Sequence, residues 1–292
     1  MKLLRYCSHV SLLWLLMGFV FSLPTAAQDR PLQTPDAETV PAGTVRAQVG
    51  FDFLQEANYP LTGLTGDLTS LGVMDLRLGV GSIVEVELQG TVHEFLDIKH
   101  QGASFVTLHL TGTNSTGDSG NYSLWTKVRI LGEGERHPAV AFRFGYQMPN
   151  EKQISGLGTN TSNVFASVIL QKHFFGRLNL FGDAGIGILQ VPLTTFQQND
   201  VLTYGGAFVY KLNRRVNLVG EVAGRYSTRP ITTALIGTES HSQARLGFQI
   251  FAGGFRWDLA GIAGLNKADP QSGFTFGVSR DIHLFNIPSD SK

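Results

Sequence analysis

The chain has a single cysteine in 292 residues, Cys7. One thiol cannot build a disulfide framework or a Cys-ligated metal centre. Charge of one sign is also lacking, because 23 Lys and Arg balance 23 Asp and Glu. Nucleic-acid binders carry a basic excess, and disordered solvating chains need high net charge with low hydrophobicity, so both classes are disfavoured. Charged residues are scarce altogether, at 16% against about 25% in an ordinary soluble domain. Beyond the N-terminus no apolar run approaches the roughly 18 residues of a spanning helix. What the chain does have is 42% hydrophobic residues and 34 glycines, dispersed along its length.

The N-terminus reads as a processing signal. Lys2 and Arg5 precede an apolar stretch from Val10 to Leu23, and Pro24-Thr25-Ala26-Ala27 offers small residues for cleavage. This is the pattern of a secretory signal peptide over residues 1–27, too short and wrongly flanked for a transmembrane helix. Cys7 lies before the apolar stretch, where it cannot serve as a lipoprotein anchor, and the processed chain contains no cysteine. Residues 28–41 are polar and Pro-containing with no period, and are expected to form a periplasmic linker.

From Val45 onward the period is two. Val45, Ala47, Val49, Phe51 and Phe53 alternate with Arg46, Gln48, Gly50 and Asp52. The same grammar recurs about a dozen times, for example at Val84, Val86 and Leu88 against Glu85, Glu87 and Gln89. Val140, Phe142, Phe144 and Tyr146 likewise alternate with Ala141, Arg143, Gly145 and Gln147. Alternation at 180° per residue marks strands with two chemically different faces, and no stretch shows a helical stripe. Connector lengths alternate too. Short turns near 81–82, 132–137, 175–176, 212–215 and 252–254 interleave with longer connectors near 54–66, 94–120, 149–163, 190–200, 228–242 and 266–272. Five turns and six loops join twelve strands, the signature of a transmembrane antiparallel β-barrel with short periplasmic turns and longer extracellular loops. The barrel is expected over 42–285, followed by a short tail, 286–292. A soluble β-sandwich or a small ligand-binding barrel is the competing reading. The Gly-rich, Lys-poor polar face and the number of strands weigh against it.

Three segments carry a family resemblance. Gly117-Asp118-Ser119-Gly120-Asn121-Tyr122-Ser123-Leu124-Trp125-Thr126-Lys127-Val128-Arg129 resembles a strand of the bacterial outer-membrane barrels of the meta-pathway phenol-degradation transporter family. The run from Arg143 to Asn150, continued by Gly156 to Thr161, is similar to that family's strand-then-loop pattern, and Val216 to Gly224 resembles a later strand. The resemblance implies an outer-membrane channel or transporter, for small aromatic or hydrophobic compounds.

Selectivity in barrels comes from pore-lining side chains, so the polar parity supplies the candidate site. Its bases are Arg46, Arg77, Lys127, Arg129, Arg143, Arg225, Arg245 and Arg256, and its acids are Asp52, Asp75, Glu85, Glu87, Asp183, Glu221, Asp258 and Asp281. They line either a functional constriction or an ion-pair network in a nearly filled interior. Adjacent residues face opposite solvents, so Phe144→Arg is expected to impair the barrel while Arg143→Gln leaves assembly intact. Acyl-transfer chemistry is disfavoured, since no Gly-x-Ser-x-Gly elbow occurs. His93, beside Glu94 and Asp97, is the best acid/base candidate and reads as a rim histidine. No metal-ligand spacing and no cofactor motif is present. The expectation is therefore a non-enzymatic barrel in a bacterial outer membrane, inserted by the barrel-assembly machinery and passing small molecules passively. A structural or adhesive barrel with a closed lumen and partner-binding loops is the alternative.

Overall fold

The computed structural model describes residues 30–194 and 197–286. The expected signal peptide, and all of the tail beyond its first residue, lie outside the described residues. Thirteen strands follow in order: β1 (Thr44–Tyr59), β2 (Leu64–Gly79), β3 (Val84–Gln101), β4 (Ser115–Asp118), β5 (Ser123–Leu131), β6 (Ala139–Gln147), β7 (Asn163–Phe174), β8 (Leu178–Gln190), β9 (Gln198–Lys211), β10 (Val216–Ser227), β11 (His241–Ala252), β12 (Phe255–Gly264) and β13 (Ser272–His283). β4 and β5 both pair with β3, near its opposite ends. They form one stave broken at 119–122, so thirteen strands make twelve staves. β1 pairs with β2 on one side and with β13 on the other, from Thr44 opposite His283 to Gln55 opposite Ser272. That last pairing closes an antiparallel sheet. Closure is what a bilayer demands, because a free edge would leave backbone N–H and C=O groups unpaired in hydrocarbon.

Thr44 and His283 lie at the end that carries the five short turns, and the long connectors gather at the other. Two connectors are shorter than the alternation predicts. β1 and β2 run on to a tight turn at 60–63 instead of opening a loop at 54–66, and β3 continues to Gln101. The cause is a slip of the pleat. In β2, Asp75 and Arg77 are buried on one side of Gly72, whereas Ser70 and Leu68 are buried on the other. Gly72 has φ +64° and sits where the β1–β2 register shifts, and Glu56, with φ +54°, sits at a second shift. One inserted residue exchanges the two faces of a strand, so a reading that follows a single parity ends there. Past the slip the inner face turns apolar beyond Ser70 and Glu94. Ala57, Leu64, Leu68 and Leu96 pack with Leu157 of the 148–162 connector, and with Leu108 and Leu110 of the 102–114 connector.

The outer face is apolar over most of the wall. Val49 is 48% exposed, Phe144 48% and Leu246 61%, with Leu170, Ile186, Leu202, Phe248 and Phe276 exposed around them. Soluble monomers rarely expose apolar patches beyond a few hundred Å²; a band around a closed barrel is the surface that acyl chains cover.

Candidate functional site

Inside the wall, charge replaces hydrocarbon. Arg46, Asp75, Arg77, Glu85, Glu87, Lys127, Arg143, Glu221, Arg256 and Asp258 are all buried, and Asp52, Arg129, Arg225 and Arg245 are partly so. One continuous cluster joins β2, β3, β5 and β6. Arg77 holds Asp75 at 2.7 Å and lies 3.6 Å from Glu85 and 3.9 Å from Glu87. Lys127 reaches Glu85 at 3.0 Å, and Arg143 donates to Glu87. Across the lumen Arg256 pairs with Asp258 at 2.9 Å, and Arg245 lies 3.7 Å from Glu221. Arg46 grips Asp281 through two hydrogen bonds of 2.6 and 2.7 Å. Arg225 joins neither cluster and donates instead to the Glu239 carbonyl at 3.0 Å.

The buried pairing corrects one sequence expectation. Arg143 is not a freely replaceable lumen charge, since it serves Glu87 and lies 3.9 Å above the Trp125 ring. Trp125 lies against the wall because Gly145, opposite it on β6, has no Cβ to lift it: a Cβ there would come within 2.1 Å of the indole. His93 makes an edge contact with Phe95 at 4.6 Å, and Phe95 is 49% exposed on the outer surface.

The larger correction concerns residues 30–41, expected as a periplasmic linker. From Arg30 onward the chain runs through the barrel interior. The Glu221 carboxylate on β10 accepts hydrogen bonds from the Gln33 and Thr34 amides at 2.7 and 2.8 Å, and from the Thr34 hydroxyl at 2.8 Å. Gln171 on β7 accepts from the Ala37 amide at 2.8 Å, and Glu85 on β3 from the Val40 amide at 2.6 Å. Lys127 pairs with Asp36 at 3.1 Å and Arg129 with Glu38 at 2.9 Å. On the far side the Arg30 carbonyl accepts from Gln249 at 2.9 Å, the Pro31 carbonyl accepts from Arg245 at 3.0 Å, and the Arg30 guanidinium lies 3.6 Å from Asp52. Apolar side chains of the segment are housed as well. Leu32 packs with Phe181, Ala207, Val209 and Val219, and Ala37 with Ala139, Ala141 and Ile169. Lumen glycines supply the clearance. A Cβ at Gly50 would lie 2.1 Å from the Arg30 guanidinium, and one at Gly205 would lie 2.6 Å from the Thr34 hydroxyl.

This segment gives many lumen charges their partners. Asp36 and Glu38 face Lys127 and Arg129, and backbone amides satisfy Glu221 and Glu85. Burying an unpaired charge is prohibitive, so the segment and its side-chain partners stabilise one another. No periodic signal announces such a segment. Its trace in the sequence is the set of isolated apolar residues Leu32, Ala37 and Val40 between polar ones.

Two cavities lie beside it among the described residues. One of about 400 Å³ is lined by Arg30, Asp52, Asp75, Arg77, Trp125, Arg143 and Arg245, among others. The other, about 260 Å³, includes Arg143, Asp183, Arg225 and His241. Gln33 and Arg143 border both.

The loop end is partly covered. Thr62 donates to the Gly156 carbonyl at 2.8 Å, Thr116 to the Ser155 carbonyl at 2.6 Å, and the His109 amide to the Ile154 carbonyl at 2.7 Å. Glu151, in the same cover, has its carboxyl pushed up to about 8, by burial first and by the Glu94 and Asp118 carboxylates; the Asn121 side chain opposes the shift. A carboxyl raised on folding stabilises the fold fully below its unfolded pKa, about 4.3, and that contribution is lost as pH rises through the folded value. Trypsin cleavage after the exposed Lys152 should therefore accelerate between pH 7 and 9 in the parent protein relative to Glu151→Gln. A pH-independent ratio of the two rates would show that Glu151 does not govern the cover.

A closed antiparallel barrel of twelve staves, apolar outside and charged within, has the fold of outer-membrane β-barrels. Among solved structures the chain is similar to the COG4313 outer membrane channel from Pseudomonas putida F1, with 12% identity and a TM-score of 0.60 over 89% of this chain and 100% of that one. The NanC porin gives 8% identity and a TM-score of 0.47 over 83% of this chain and 100% of that one. The CymD monoaromatic hydrocarbon channel gives 10% and 0.40, over 85% and 90%. No family model and no curated protein sequence matches the chain.

Proposed function

We propose that this chain is a passive outer-membrane channel for small molecules, with residues 30–41 as an internal gate. The observation that carries this reading is the lumen itself. Its wall is charged, two cavities open beside the crossing segment, and the segment is held by hydrogen bonds and ion pairs rather than by a continuous apolar core. Such contacts exchange with water at a net cost of about 0.5–1.5 kcal/mol for an ordinary hydrogen bond and about 1.5–3 kcal/mol for one to a charged group, so the segment can shift without unfolding the wall. In this reading the short turns face the periplasm, the cover formed by 102–114 and 148–162 faces outward, and residues 1–27 are removed on export. The resemblance to the phenol-degradation transporters favours compact aromatic solutes, and Trp125 with Phe165, stacked at 5.6 Å, offers a matching surface.

The tight fit of the segment also favours a second reading, a barrel whose lumen stays closed and whose loops bind partners. Liposome swelling separates the two. Proteoliposomes of the mature chain should swell in small aromatic solutes and sugars, and faster when residues 30–41 are deleted. If neither form swells, the closed barrel is correct.

A further inference from the structure

We infer that the 400 Å³ cavity is a binding site for small organic anions, a carboxylate on a compact apolar or aromatic body, held by Arg143 and Arg245. The inference rests on the channel reading and names the solute class it would pass.

Four guanidinium groups border this cavity, from Arg30, Arg77, Arg143 and Arg245, against two carboxylates, Asp52 and Asp75. Both carboxylates are already engaged. Asp75 receives Arg77 at 2.7 Å and the Gln89 amide at 3.1 Å, and Asp52 receives the Thr275 hydroxyl at 2.6 Å. The arginines are less fully used. Arg143 and Arg245, whose side chains are 8% and 9% exposed, each bury an Nε–H with no hydrogen-bond acceptor among the described residues, the Arg245 Nε standing 3.7 Å from the Glu221 carboxylate, beyond hydrogen-bond reach. A buried donor left unmade costs about 1–3 kcal/mol, and the planar guanidinium fork matches a carboxylate. Beside these donors Leu32, Val73, Met74 and the Trp125 ring give the cavity an apolar side. An anion with a hydrophobic body satisfies both sides together. A cation would meet the arginines, and a neutral arene would leave the Nε donors unpaired.

Arg30 and Leu32 belong to the crossing segment, so the site is completed by the gate. A bound anion therefore contacts the segment and the wall at once, and its binding is coupled to the position of the gate.

The test uses the native chromophores. Beyond Trp14 the chain has two tryptophans, Trp125 in the lumen and Trp257 on the outer face, so Trp257→Phe leaves the lumen indole as sole reporter in the processed chain. The purified barrel in detergent is titrated with 4-iodobenzoate, neutral 4-iodobenzyl alcohol and cationic 4-iodobenzylamine. Saturable quenching by the benzoate at concentrations at least tenfold below the other two is expected. Adding Arg245→Gln should weaken the benzoate about tenfold or more and leave the alcohol unchanged, with heat-modifiable gel mobility confirming a folded barrel. Equal quenching by all three probes, or preference for the amine, overturns the anion site, and this comparison needs no lumen variant. Bilayer conductance is read separately. A conducting barrel without charge-selective quenching sinks the site alone, whereas charge-selective quenching in a barrel that never conducts sinks only the channel.

Discussion

Replacing Phe144 by Arg should destabilise the barrel by about 2–4 kcal/mol, measured by urea unfolding in lipid vesicles. Phe144 is the sixth of nine residues in β6, away from either end, and 48% of it faces outward. A guanidinium there displaces acyl chains with a charge that cannot snorkel far. Its neighbour gives a contrasting result for a different reason. Arg143→Gln removes the close partner of Glu87, which is fully buried and keeps only Arg77 at 3.9 Å and a long hydrogen bond of 3.4 Å from the Gln89 amide. Breaking a buried pair on one side costs about 3–5 kcal/mol. Adding Glu87→Gln to Arg143→Gln should recover most of that loss, whereas no lumen substitution should rescue Phe144→Arg. Full tolerance of Phe144→Arg would mean that β6 does not lie in a bilayer.

Lys127→Met should release the segment. The Lys127 ammonium is buried between Asp36 on the segment and Glu85 on the wall, at 3.1 and 3.0 Å. Without it both carboxylates are left without that cation, at a cost of about 3–5 kcal/mol. Moving the segment out hydrates Asp36 and relieves part of the strain. The expected outcome is proteolysis within 30–41 at enzyme concentrations that leave the parent intact, with the barrel still folded by heat-modifiable mobility. Protection equal to the parent would place the hold on the segment elsewhere, at Glu221.

The twelve staves, the turn end and the loop end were legible because each rests on a local pattern, alternation or punctuation. The sealing pair β1–β13 follows from an even count of staves. The pleat slips at Gly72 and Glu56 were not legible, since a positive φ leaves no trace at Glu56 and Gly72 is one glycine among many. The cost of missing them was the upper half of β3 and the tight turn at 60–63. Polar parity brought out the charged wall residues on the turn side of the slip, from Arg46 to Asp281, and missed Glu94 and Asp118 beyond it. It could not give their partners, because Glu85 with Lys127 and Arg143 with Glu87 are contacts between strands. The crossing segment was least legible of all. Its structure is dictated by side chains of β3, β5, β7, β10 and β11, none of which is near it in the chain, with Asp52 of the adjoining β1 holding only Arg30, and its own sequence has no period to read.

The gate is tested most directly by tethering it. A chain made without residues 1–27 has no cysteine and permits the pair Thr34→Cys with Gly205→Cys, where the Thr34 hydroxyl lies 2.6 Å from the position of a Cβ on Gly205, within the reach of a disulfide; Asp183→Ala in the same background clears the carboxylate that would lie 2.4 Å from that Cβ. Single-channel conductance should be near zero when the pair is oxidised and should rise on addition of a reductant, while the single-cysteine variants ignore the redox state. Conductance that is the same before and after reduction, with the disulfide verified by mass, would contradict passage by movement of this segment.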